Sequence, residues 1–149
     1  MTKKRNKPKN LNSLFTIVNI SYSTSNEPFL LTIDLGRKMK TINKEKLKEW
    51  KAEKKDFVLI NVLSRAEFEK RHIPGSINIP LSEIKDRIEE KVSDKGKTIV
   101  VYCANYSCEA STTAAKKLEQ IGYSSVFDYK GGIEDWGKDS PVQHIRKEE

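Results

Sequence analysis

The chain has 149 residues, 36% hydrophobic and 33% charged, with a net charge of +7. That length fits one domain with a core of its own. No apolar run approaches the roughly 18 residues of a membrane-spanning helix, so no membrane span is expected, and the basic start lacks the apolar segment of an export signal. Two cysteines, Cys103 and Cys108, in a chain without such a signal fit a reducing, cytoplasmic setting and exclude a disulfide framework. With only two histidines, His72 and His144, no zinc set can be completed, so no metal is expected.

The charge is unevenly placed. Residues 1–55 carry 14 Lys/Arg against 5 Asp/Glu, whereas residues 56–149 carry 14 against 16. The basicity therefore belongs to the N-terminal part, as a solvated tail and a lysine-rich helix face or as an arm for an acidic partner. No aromatic interleaving or RNA-binding motif accompanies it, so nucleic acid is not the expected partner.

Residues 1–10 are basic and polar with no apolar period, the composition of an unstructured start. Residues 14–22 and 29–35 have strand-like composition around a turn-rich 23–28, which predicts a hairpin-like N-terminal extension over residues 1–40. A regular alternation begins at Thr41. Residues 41–42 read as a short strand after a linker at 36–40. Asn43 is placed to cap a helix running to about residue 54, with Leu47 and Trp50 inward. Residues 57–62 are apolar on both faces, as in a central parallel strand. Ser64 and Glu67 have capping-box spacing and open a short helix ending near Arg71. His72 stands before a turn at Pro74-Gly75, which its ring is expected to fasten. Residues 77–79 form a further strand and residues 82–92 a helix with Ile84, Ile88 and Val92 inward.

Residues 98–102, Thr-Ile-Val-Val-Tyr, are a buried-strand run, and Cys103 follows at once. Small and polar residues come next, then Ala114, Ala115, Leu118 and Ile121 at helical spacing, closed by Gly122. Residues 126–129 are the last strand, Gly131-Gly132 a tight turn, and residues 133–136 a short helix. The chain from Gly137 is polar and reads as a frayed tail. Strands alternating with helices give an α/β fold with a parallel sheet, in which chemistry sits beyond the carboxyl ends of the strands. Cys103 occupies that place. A strand, a loop and a helix start aim unpaired amides at a sulfur there, which favours a thiolate or an anionic persulfide.

Several segments in order carry a family likeness: Leu59-Ile-Asn-Val62, Glu67-Phe68, His72-Ile-Pro-Gly-Ser-Ile-Asn-Ile-Pro80, Ile99-Val-Val-Tyr-Cys103, Ala114-Ala-Lys-Lys-Leu118, Gly122-Tyr123 and Gly131-Gly-Ile-Glu-Asp-Trp136. Together they resemble the rhodanese-like sulfurtransferase domains over about residues 41–138, leaving 1–40 as an extension and 139–149 as a polar tail. The resemblance implies a three-layer fold with a central five-stranded parallel sheet and no cofactor. It implies that Cys103 takes sulfane sulfur from a small donor, holds it as a persulfide and passes it to a thiol or protein acceptor. The loop of Ala104, Asn105, Tyr106, Ser107, Cys108 and Glu109 would wrap the persulfide with backbone amides. Lys130, Gly131 and Gly132 would wall the pocket.

The sequence also departs from the family. Asn61 and Leu63 stand where many members have Asp and Arg. The loop has no Arg or Lys to hold an anionic donor, and Glu109 adds a carboxylate, which argues against thiosulfate as the natural donor. Lys130 is the nearest candidate for the missing positive charge. Glu109 reads either as a helix N-cap or as a tuning charge. Cys108 reads either as a resolving thiol or as an inert packing residue. Three functions therefore stand open: sulfur transfer through Cys103, a thiol–disulfide or persulfide relay using Cys103 with Cys108, and a non-catalytic module that binds a partner protein through residues 1–40. A phosphatase is excluded, because the sixth residue after Cys103 is Glu109 where an arginine would be needed.

Overall fold

The computed structural model describes residues 38–146. The expected hairpin at residues 14–35 and the basic start lie outside the described residues. From Lys40 onward the alternation read from the sequence is present. Strand β1 (Lys40–Thr41) is followed by helix α1 (Lys44–Ala52), β2 (Val58–Asn61), α2 (Arg65–Lys70) and β3 (Ile77–Asn78). Then come α3 (Ile84–Lys91), β4 (Ile99–Tyr102), α4 (Ala110–Gln120), β5 (Val126–Tyr129) and α5 (Gly132–Trp136). The sheet is five-stranded and parallel throughout, in the order β1-β5-β4-β2-β3. Among the described residues no helix is long and apolar enough to cross a membrane.

Local chemistry sets the element ends. The Asn43 side chain accepts from the Lys46 amide at 2.8 Å and starts α1. The Ser64 hydroxyl accepts from the Glu67 amide at 3.3 Å and starts α2. Helix α1 stops two residues before its expected end. Lys54 takes φ 57°, and the Lys54 and Lys55 amides turn back to the carbonyls of Lys51 and Trp50. This is a Schellman end without a glycine to announce it. Helix α4 ends the same way at Gly122, φ 104°, where the glycine was visible. The expected helix at 82–92 begins as a tighter 3₁₀ turn, Leu81–Glu83, before α3.

Strand β4 lies at the centre and is fully buried on both faces. Its alternation decides where the cysteine goes. Ile99 and Val101 face the layer of α3 and α4, packing with Ile84, Ile88, Ala114, Ala115 and Leu118. Val100 and Tyr102 face the layer of α1 and α5, with Leu47, Ile133 and Trp136. Cys103 continues the first series, so its side chain falls on the α4 side of the sheet.

The buried hydroxyl of Tyr102 accepts from the Ile73 amide at 3.0 Å and pairs with the Ser76 hydroxyl at 2.7 Å. It ties the centre of the sheet to the Ile73–Ser76 turn. Tyr102→Phe strands a buried N–H and is expected to cost about 1–3 kcal/mol. A lower urea midpoint at unchanged slope will measure it.

Two expectations change. The His72 ring does not fasten the following turn. Its Nδ1–H donates back to the Phe68 carbonyl at 2.8 Å, and the ring stacks on Phe68 at 3.9 Å. The turn is held instead by Ser76, Tyr102 and Lys51, whose ammonium donates to the Pro74 carbonyl at 2.7 Å. Nor is the described part of the tail loose. His72 and Gln143 exchange backbone hydrogen bonds at 2.9 and 2.8 Å, and the Ile145 amide reaches the Glu69 carbonyl at 2.9 Å. Asp139 pairs with Lys44 and Lys48. Backbone pairing of this kind leaves no trace in composition, so polarity alone misread the segment.

Candidate active site

Cys103 follows directly on β4, and the loop after it folds back on itself. The Asn105 side-chain oxygen accepts from the Ser107 amide at 3.0 Å, and the Asn105 carbonyl accepts from the Cys108 amide at 3.1 Å. Asn105 therefore closes a tight turn with Tyr106 exposed at its tip. Its amide nitrogen also donates to Glu134 at 3.2 Å. The amides of Ser107 and Cys108 are thus spent within the loop and, against the expectation for them, do not wrap the Cys103 sulfur. The Ala104 and Ala110 amides favour an anionic Cys108 sulfur, and the Ser111 amide an anionic Cys103 sulfur.

The Cys103 thiol is fully buried. It lies 3.4 Å from both the Cys108 carbonyl oxygen and the Ser111 hydroxyl, either of which it can donate to. Burial, with a contribution from the neighbouring Cys108, pushes its pKa up, while Ser111 pulls the other way. Cys108 is half-buried. Burial raises it too, but the hydrogen bond from Cys103, the two amides and the Lys130 charge outweigh that and leave it below the ordinary thiol value. The two shifts run in opposite directions, up for the inner thiol and down for the outer one.

Lys130, just past β5, reaches the loop. Its ammonium donates to the Cys108 carbonyl and to Thr112 Oγ1, each at 3.1 Å, and pairs with Glu109 at 3.4 Å. Glu109 sits at the N-cap position of α4 but makes no side-chain capping bond. Its carboxylate faces Lys130 instead, so Glu109 stands at the helix start, as read from the sequence, without a capping hydrogen bond. Thr112 in turn donates to the buried Asp128 at 2.6 Å. A chain of side chains from β5 to α4 thus fixes the Lys130 ammonium at the loop. Lys130→Met should raise the Cys108 pKa. The pH midpoint of Cys108 alkylation should shift upward, with less thiolate at neutral pH, as followed by mass-resolved labelling.

Gly132 closes the site from the other side. It has φ 62°, and a Cβ there would lie 2.5 Å from the Cys103 carbonyl oxygen. The absent side chain lets α5 seat its first amides on the loop: Ile133 N–H donates to the Cys103 carbonyl at 3.1 Å and Glu134 N–H to that of Ala104 at 2.9 Å. The structure therefore gathers Cys103, Cys108, the loop, Lys130 and Gly132. Gly131 is buried next to them, against Asp135. Sequence reasoning missed Ser111, Thr112 and Asp128. Ser111 was within reach, since it completes the inward series Ser111, Ala114, Ala115, Leu118 at helical spacing. Asn61, at the departure from the family pattern, is buried and uses its side-chain oxygen to accept from the Leu63 amide at 2.9 Å.

The comparisons with known proteins agree with this architecture. The Bacillus subtilis protein YqhL is 39% identical over 101 residues, covering 68% of this chain and 75% of YqhL. The thiosulfate sulfurtransferase PspE of Escherichia coli is 38% identical over 76 residues, 51% of this chain and 70% of PspE. Among solved structures, a rhodanese with anions from E. coli superposes with a TM-score of 0.51 at 34% identity, covering 58% of this chain and 96% of that one. The profile of the rhodanese-like domain matches residues 43–139, from the α1 cap to the turn after α5, and the chain belongs to that family.

Proposed function

We propose that this protein is a sulfurtransferase that carries sulfane sulfur as a persulfide on Cys103. The observation that supports this best is the position of Cys103. It stands at the carboxyl end of the central parallel strand, beside a helix start whose Ser111 hydroxyl lies 3.4 Å from the sulfur. Membership of a family that includes a named thiosulfate sulfurtransferase supports the same reaction class.

In the first half-reaction the Cys103 thiolate attacks the sulfane sulfur of the donor. A sulfur–sulfur bond forms at Cys103, the donor's own bond to that sulfur breaks, and the donor's remainder leaves with the electron pair. In the second, an acceptor thiolate takes the outer sulfur and Cys103 leaves as thiolate. Because Cys103 is fully buried, the donor gains it only when the loop lifts. The nearest cation, Lys130, is already shared between Glu109, Thr112 and a carbonyl. This favours a persulfide or polysulfide donor over the dianion thiosulfate. A protein thiol is the acceptor class that suits so enclosed a carrier.

Incubation with inorganic polysulfide followed by intact and peptide mass spectrometry tests the reading. The expected result is sulfur delivered to the peptide that holds Cys103, kept as one added sulfur in a Cys108→Ser variant. An unchanged Cys103 peptide in that variant overturns it.

A further inference from the structure

The persulfide reading leaves the second cysteine without a task, yet the geometry around it is specific. We propose that Cys108 is the resolving thiol of the Cys103 persulfide, so that the domain discharges its sulfur as hydrogen sulfide and is left with a Cys103–Cys108 disulfide. This rests on the reading of Cys103 as the sulfur carrier.

Three observations carry it. First, the loop does not merely place two cysteines five residues apart. The turn at Asn105 brings the chain back so that the Cys108 carbonyl lies 3.4 Å from the Cys103 sulfur, which sets the backbone of the second cysteine against the first thiol. Second, the groups suited to hold an anion serve the outer sulfur. The Lys130 ammonium lies 3.1 Å from the Cys108 carbonyl, and its charge, with the Ala104 and Ala110 amides, favours the Cys108 thiolate. An inert packing residue would need none of these. Third, exposure divides the labour. Cys103 is sealed and Cys108 reaches the surface, so a product disulfide offers one sulfur to an incoming reductant.

The step balances without a further reagent. The Cys108 thiolate attacks the inner sulfur of Cys103–S–SH, the Cys103–Cys108 bond forms, the bond to the outer sulfur breaks, and hydrosulfide leaves with the electron pair and the proton. The sulfane sulfur is reduced by two electrons and the two cysteine sulfurs are together oxidised by two. A dithiol reductant then attacks Cys108 and restores both thiols, becoming a disulfide itself. The overall activity is therefore reductive release of sulfide from a sulfane donor, rather than transfer of sulfur at constant oxidation state.

Wild type, Cys108→Ser, Cys108→Ala and Cys103→Ser are each loaded with inorganic polysulfide, desalted, and held without thiol. Sulfide is trapped by alkylation and the proteins are weighed. Wild type is expected to release up to one sulfide per chain and end lighter by two hydrogens, with the two cysteines in one cross-linked peptide. Both Cys108 variants should keep one added sulfur on Cys103 and lose sulfide release. Cys103→Ser should release none. Wild type that keeps the added sulfur on either cysteine, with no sulfide and no cross-link, overturns the proposal. Failure of the Cys108 variants to acquire sulfur on Cys103 overturns the carrier reading instead, so the two failures are distinct. Lys130→Met adds a readout that loss of packing would not move: the rate of sulfide release should shift to higher pH.

Discussion

Cys103→Ser is expected to lower sulfur transfer by about a thousandfold or more while leaving the protein folded. The hydroxyl is smaller than the thiol but can keep the same two partners, the Cys108 carbonyl and the Ser111 hydroxyl. The site lies in the core layer of α3 and α4, so a stability cost of about 1 kcal/mol is reasonable for the lost sulfur packing. A serine hydroxyl neither ionises near neutral pH nor accepts sulfane sulfur. Thiocyanate formation from a sulfane donor and cyanide measures the loss, and thermal denaturation beside it shows that the fold survives. Near wild-type turnover would assign the carrier to another residue.

Gly132→Ala should damage both stability and activity, through the backbone alone. The added Cβ meets a positive φ of 62° and lies 2.5 Å from the Cys103 carbonyl oxygen and 2.7 Å from the Ala104 carbonyl group. The conformation alone costs about 1–2 kcal/mol, and the overlap forces α5 off the loop. Together about 3 kcal/mol is expected, which for a domain of this size lowers the melting temperature by roughly 10–20 °C. Sulfur transfer should fall even well below the new melting temperature, because the Ile133 and Glu134 amides no longer hold the Cys103 and Ala104 carbonyls. Gly131→Ala meets Asp135 side-chain atoms at 2.6–3.0 Å, within one short helix rather than at the nucleophile. It should disturb the local fold more than the sulfur chemistry.

These two residues also show how far the sequence could be read. Period and composition carried the strands: the buried runs at Val58–Asn61, Ile99–Tyr102 and Val126–Tyr129 stand where apolar, β-branched residues cluster. Cys103 was legible for the same reason, since it follows the central run. Gly131-Gly132 was legible as a turn. What the second glycine is for was not, because the atoms it makes room for lie about 30 residues earlier in the chain. The same holds for Lys130, Thr112 and Asp128, which meet only when β5 lies against α4. Cys108 falls between these cases. Its spacing from Cys103 raises two roles, and spacing alone does not aim its sulfur. Lys54 marks the opposite limit: a left-handed helix end on a lysine has no local signature.

The anchoring of the loop by α5 has a mechanical consequence. Its first two carbonyls are clasped by α5 and the Cys108 carbonyl by Lys130, whereas residues 105–107 are secured mainly within the turn, with one exposed bond from Asn105 to Glu134. Any uncovering of the inner sulfur should therefore pivot just after Ala104, swinging the Asn105 turn outward as a unit. Deuterium uptake would register such a motion unevenly: quick at the amides of Ser107 and Cys108, slow at those of Ile133 and Glu134.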